Sequence, residues 1–176
     1  LEPNLLEEGL LLHVGERMLA GDHLYSDIVL VTGPVPYVMV AGIFSVFGST
    51  IEVARIGVAI LQGLACASVY NLARRSDAGP WAHASAASIA FAPVLLFPLL
   101  TIAFYTTIAT SLAFIAAGLA LRGVRSNGWA FAAGVAIALT ALSKQTVGAL
   151  LAIGLVATIA ACAPARERLR RTLVLC

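Results

Sequence analysis

Between Ala78 and Leu121 the chain contains no Asp, Glu, Lys or Arg. That absence excludes a water-facing surface along the stretch and leaves room for two membrane spans, each needing about 20 apolar residues. Charge is scarce throughout: 11% of the 176 residues are charged and 60% are hydrophobic, where a soluble domain has about 25% and 45–50%. With a mean hydropathy of +0.95, the solvent for most of this chain is lipid. The three cysteines, Cys66, Cys162 and Cys176, lie too far apart for a disulfide framework or a cysteine metal site, and read as small apolar side chains. No run of Lys and Arg interleaved with aromatics is present, so a nucleic-acid partner is excluded. No internal repeat and no low-complexity linker divides the chain. No Met or signal peptide opens it, and it stops soon after the basic "PARERLRR". It is therefore expected to be the N-terminal part of a larger protein, lacking a first span and later ones.

What is there is a series of apolar segments between polar breaks. They run over about 51–72, 81–104, 107–121, 128–142 and 147–163, and predict a bundle of about five transmembrane helices. Several are short for a span, which fits helices packed against one another better than lone anchors. Ala and Gly recur, as in "AAGVAIALTAL", and in lipid such residues let helix backbones approach closely. Arg74, Arg75, Arg122, Arg125, Arg166, Arg168, Arg170 and Arg171 all fall in loops separated from one another by two spans, so they share a side. The positive-inside rule makes that side cytoplasmic and puts Ile51 on the outer side.

The first fifty residues are of another kind. Five of the nine carboxylates lie in "LEEGLLLHVGERMLAGDHLYSDIVLVTGPVPY" (Leu6 to Tyr37). Residues 8–20 predict a surface helix. Leu10, Leu11, Leu12, Val14, Met18 and Leu19 cover one arc, and His13, Glu16 and Arg17 share the other side. Gly21 reads as the turn that ends it. The apolar segment Pro34–Phe47 is about 21 Å long as a helix, short of a roughly 30 Å hydrocarbon core, so it is expected to lie at the interface or re-enter. The chain thus divides into an outer-side loop with juxtamembrane helices, residues 1–50, and a helical bundle, residues 51–176.

Few residues can carry chemistry. Glu7 and Glu8 stand where a helix dipole stabilises acids, or where a carboxylate at the membrane surface binds a divalent cation or takes a proton from an attacking hydroxyl. Asp22 and Asp27 suit turn hydrogen bonds. His13 and His23 lack tight metal-ligand spacing. Arg55, a few residues into the first long segment, has three roles open to it: snorkelling, pairing with Glu52 at i, i+3, or meeting a phosphate. Lys144 is a lone cation at the outer end of its segment, and charges at a membrane edge are functional candidates.

The order of these features resembles the first outer loop of the polytopic GT-C glycosyltransferases, specifically the dolichyl-phosphate-mannose–protein mannosyltransferase and RgtA/B/C/D-like group. The resemblance rests on Glu7-Glu8-Gly9, then Gly21, Tyr25 and Asp27, then Pro34 and Pro36, then Phe47-Gly48, then Arg55, with "SKQT" around Lys144 similar to an outer-end Ser/Thr-Lys. It implies a polyprenyl-phosphate-sugar donor, an acceptor glycan, lipid or protein, and a carboxylate of the first loop acting as base or metal partner. Glu7 takes the place of a leading Asp, one methylene longer. Tyr105 is followed by Thr where many members carry a further Asp. The site implied comprises Glu7, Glu8 and Asp27 as catalytic residues, with Tyr25, Arg55 and Lys144 binding substrate. A divalent cation on Glu7 or Glu8 remains open.

The expectation is an all-α membrane protein with about five transmembrane helices preceded by two short interfacial ones. Its function is expected to be glycosyl transfer at the outer membrane face, in a chain not active by itself. The alternatives are a transporter or flippase-like bundle and a non-catalytic membrane subunit.

Overall fold

The computed structural model describes residues 8–30, 32–75, 79–80, 83–84, 88, 105–123 and 126–162. Among them are six helices and no strand: α1 (Glu8–Leu19), α2 (Val35–Phe47), α3 (Ile51–Arg75), α4 (Tyr105–Gly123), α5 (Asn127–Ser143) and α6 (Gln145–Cys162). Each expected segment that falls on described residues is helical, with ends moved by up to three residues. The segment at 81–104, with Pro93 and Pro98, lies almost wholly outside the described residues.

By length and composition α3 is long and apolar enough to cross a membrane, while α2 and the apolar stretches of α4, α5 and α6 are shorter. The all-helical expectation therefore holds, and one span is plain among the described residues. The short helices follow from their sequences. Arg17 lies in the last turn of α1 and Glu8 in its first, each at the end where the helix dipole favours its charge. The helix ends in a Schellman turn: Gly21, at φ +106°, donates to Met18 O, and Asp22 N–H reaches back to Arg17 O. Pro36 in the first turn starts α2, and Gly48, at φ +89°, closes it with a bond to Phe44 O. Two residues later the Thr50 hydroxyl accepts the Val53 N–H and starts α3.

Glycines set the crossings. A methyl at Gly15 would stand 2.9 Å from a Val40 methyl, and one at Gly57 2.6 Å from Ile43 Cδ1. In this way α1 lies against α2, and α2 against the start of α3. Leu11, Val14, Ile28, Tyr37, Val40, Phe44, Ala54, Val58 and Ile108 form one buried cluster. It joins α1, the following loop, α2 and the first turns of α3 and α4. Fully burying an aliphatic side chain is worth about 1.5–3 kcal/mol, enough to seat two helices too short to hold themselves.

Helices α3 and α4 run side by side in the same direction, since Ala54 and Ile108 share that cluster and Gly118 packs against Ser68 further along. Helix α5 returns along α4 with Ala130, Ala133, Ala136, Thr140 and Ser143 buried, a stripe at helical spacing. Its two hydroxyls donate to their own helix, at Ala136 O and Leu139 O. The bundle therefore has one end where α3 and α4 begin and α5 turns into α6, and an opposite end where α3 and α4 finish.

Candidate site at the Arg55 and Lys144 end

Glu8 is 0% exposed. The reason is its register: Leu11 and Gly15, also buried, lie three and seven residues further along α1, so Glu8 continues the apolar stripe inward. An ionised carboxylate taken from water is costly unless paired, and Arg55 is the partner. Its Nε donates to Glu8 Oε1 at 3.0 Å and its Nη2 to Oε2 at 2.8 Å, a forked, charge-assisted pair. The two residues are 47 apart in sequence, brought together by the crossings of α1 on α2 and α2 on α3. The i, i+3 pairing of Arg55 with Glu52 gives way to this longer-range one. A planar guanidinium has five donors, of which the fork uses two, and Arg55 remains partly exposed, at 31% of its side chain.

Lys144 marks the same end. It is the single extended residue, φ −149° and ψ 107°, between α5 and α6. Its side chain reaches α4, where Nζ donates to Thr106 Oγ1 at 3.0 Å and stands 5.4 Å from the Tyr105 ring centroid. Thr106, at the position after Tyr105 where the resemblance would place an acid, serves as a neutral acceptor for this lysine. The Pro-rich turn closes over the same point. Gly33 lies so near the Leu142 carbonyl that any Cβ would collide with it, so glycine is required at this position by close approach. Neither Thr106 nor Gly33 stands out in the sequence. The only signals for them are a hydroxyl following an aromatic and a glycine before Pro34, both too common to act on.

The loop residues stand apart. Tyr25 adopts φ +70°, the left-handed region that non-glycine residues rarely enter. Its hydroxyl donates to Thr32 O at 2.8 Å, and Thr32 Oγ1 is 2.6 Å from the Tyr37 hydroxyl. This chain of bonds ties the exposed loop to α2. Partial burial raises the Tyr25 phenol above its usual pKa, and nearby Tyr37 adds to the rise. Asp27 accepts the His23 N–H at 2.8 Å within its own turn. That bond, foremost, holds its carboxyl below the usual range. The structure thus brings Glu8 and Arg55 into contact and leaves Asp27 in its own turn, closing it as a local hydrogen-bond acceptor. Glu7 lies outside the described residues. His13 is exposed on α1. No group of three His, Cys, Asp or Glu suited to a metal occurs among the described residues. Both oxygens of Glu8 already accept hydrogen bonds from Arg55, so the fork and a cation would compete for the same carboxylate.

The described charges that are buried or half-buried in the bundle stand at helix ends, and the order of acids, Pro-rich turn and Arg follows the resemblance set out above. A family comparison decides the class. The profile of the dolichyl-phosphate-mannose-protein mannosyltransferases matches residues 31–176, most of the chain. The chain belongs to that family. It is a family of membrane glycosyltransferases. No curated protein and no solved structure matches the chain. The matched region contains Arg55, Tyr105, Thr106 and Lys144, whereas Glu8, Tyr25 and Asp27 precede it. The Glu8–Arg55 fork is thus the physical link between the acidic stretch and the part that carries the mannosyltransferase likeness.

Proposed function

We propose that this chain forms the donor-phosphate end of a transferase that moves a sugar from a polyprenyl-phosphate carrier to an acceptor hydroxyl, at the membrane face where residues 1–50 lie. The observation that carries this reading is the buried fork of Glu8 on Arg55. Two carboxylate oxygens fix the guanidinium plane, so its remaining donors have a set direction before any ligand arrives. A fixed cation is worth more to a developing charge than a mobile one, because no reorganisation is needed when the charge appears.

In the proposed reaction the acceptor oxygen attacks the anomeric carbon. The bond from that carbon to the phosphate oxygen breaks, and the polyprenyl phosphate leaves with the electron pair. Arg55 and Lys144 take up the charge on the leaving phosphate. Glu7, next to the oriented Glu8, receives the hydroxyl proton. Glu8 acts as a positioning residue, holding Arg55. Tyr25, on a strained and exposed loop, contacts the sugar or the acceptor. The placement of the charges at helix ends speaks against the transporter reading, in which acids are expected near mid-membrane.

The test is transfer of labelled mannose from polyprenyl-phosphate mannose in proteoliposomes, using the protein from its full reading frame with the expression of each variant checked. Glu7→Gln keeps shape but accepts no proton, and transfer is expected to fall about 10²–10⁴-fold with donor affinity unchanged. Arg55→Lys keeps a charge but not the fork, and is expected to raise the KM for donor. A parallel series in EDTA reads out any divalent cation. Near-normal turnover with Lys144→Ala and Arg55→Lys alike would remove the phosphate reading.

A further inference from the structure

Lys144 carries a charge that no carboxylate among the described residues balances. The ion pairs there are Arg17 with Asp22 and Arg55 with Glu8. Between Asp77 and Glu167 the sequence contains no Asp or Glu, so α4, α5 and α6 bring none to this point. Lys144 is nevertheless half-buried, and a charge withdrawn from water is costly without compensation. What holds its ammonium is neutral: the hydroxyl of Thr106, at 3.0 Å.

Thr106 differs from other hydroxyls of the bundle. Those of Ser68, Thr110, Thr140 and Ser143 donate to a carbonyl of their own helix, the usual outlet for Ser and Thr within helices. Thr106 Oγ1 instead accepts from a side chain 38 residues away. The root of that side chain is fixed. Lys144 N–H donates to Thr140 O at 2.9 Å, and its carbonyl accepts the Gly148 N–H at 3.0 Å. A methyl at Gly148 would collide with the Ala141 backbone, so the turn from α5 into α6 is tightly closed. The freedom left to Lys144 lies in its four-carbon stem, and the Thr106 bond removes it at the tip. A carboxylate in place of the hydroxyl would hold the tip equally well and cancel its charge. An ammonium has three donors, and a hydroxyl has one donor besides its lone pairs. Two ammonium hydrogens and the threonine hydroxyl hydrogen therefore have no partner among the described residues.

We propose that Thr106 is a positioning residue of the donor-phosphate site: its hydroxyl holds Lys144 in place without neutralising it, so that the whole charge and two free donors of the lysine meet the leaving phosphate. This rests on the phosphate reading of Lys144 given above. The stem of the lysine is ordered before the donor arrives, so the rotamer freedom that binding would otherwise remove is already gone.

The experiment is mannose transfer in proteoliposomes with the full-length protein, read as the donor KM and kcat of each variant, with thermal unfolding measured alongside. Thr106→Val keeps the shape and removes the acceptor. It is expected to raise the donor KM about tenfold, near the low end of what a hydrogen bond to a charged group contributes, with kcat changed less. Thr106→Ser should restore the parent value. Thr106→Asp, which keeps an acceptor but supplies a counter-charge, should raise the KM at least as far as Thr106→Val. Thr110→Val, one turn along α4, should leave it unchanged. In a Lys144→Gln background Thr106→Val should have no further effect, because the two residues act as one unit; a merely structural threonine would raise the KM in both backgrounds. A KM raised by Lys144→Gln but not by Thr106→Val, or a Thr106→Asp variant with the parent KM, would overturn the role of Thr106 and leave the phosphate reading standing. A parent KM in Lys144→Gln, or no transfer by the parent protein, would overturn that reading and the role of Thr106 with it.

Discussion

The two ends of this bundle use positive charge in opposite ways. At one end Arg55 is locked in a fork with a fully buried carboxylate, and Lys144 is held by a hydroxyl and a ring. At the other, Arg74 is exposed and Arg122 lies over a half-exposed tryptophan. An exposed arginine keeps its solvation and costs the fold little. A cation held through a buried carboxylate is different in kind, because the structure must first overcome the desolvation of that carboxylate. An arrangement that costly is the better place to look for chemistry, and it lies at the end that also collects the Pro-rich turn.

The largest effect that could break this contrast is on folding. Arg55→Leu leaves Glu8 buried without its cation and is expected to destabilise the protein by about 3–5 kcal/mol. Arg74→Leu, made at an exposed position, should stay within about 0.5 kcal/mol. Equilibrium unfolding in mixed micelles compares the two. The double variant Glu8→Leu with Arg55→Leu should recover most of the lost stability, since an apolar pair often replaces a buried ion pair at little cost, while transfer activity stays lost. Equal costs for Arg55→Leu and Arg74→Leu would erase the difference between the ends.

A smaller effect tests whether the Pro-rich turn belongs to the Lys144 end. Gly33→Ala places a methyl against the Leu142 carbonyl, a backbone atom that cannot rotate away, and is expected to cost about 1–3 kcal/mol by overpacking. Gly63→Ala in mid-α3 meets nothing within 4 Å and should gain about 0.5–1 kcal/mol from helix propensity. Opposite signs for the two glycines in the same unfolding assay would sharpen the assignment; a neutral Gly33→Ala would detach the turn from this end.

The smallest effect concerns the loop. The carboxyl of Asp27 is held below its usual range chiefly by the His23 N–H. A lowered carboxylate pKa adds stability above the ordinary value, near 3.9, and that contribution is lost as pH falls through the lower folded value. The His23 amide is therefore expected to keep its Asp27-dependent protection down to pH 5 and to lose it only in stronger acid. In Asp27→Asn the acid-dependent step should vanish. An acid step that persists unchanged in Asp27→Asn would mean that another group holds this amide.

The sequence by itself determined the lipid-compatible composition, the starts and stops of α1 and α2, and the class of protein. Each of these rests on patterns within one or two helical turns, or on ordered motifs. Residues 8–20 carry an apolar arc closed by Gly21, and that information is local. The 47-residue separation of Glu8 and Arg55 is not local. From sequence Arg55 had Glu52 three residues away, and only the crossings at Gly15 and Gly57 turn it to Glu8. The inward register of Glu8 was in principle readable from Leu11 and Gly15, yet periodicity cannot tell whether an acid on an apolar stripe frays into water or is buried. Tertiary structure decided that, because a partner 47 residues away had to arrive before burial became affordable. It also decided that Lys144 reaches Thr106 and that Gly33 meets Leu142, contacts set by helices whose relative placement no local pattern encodes.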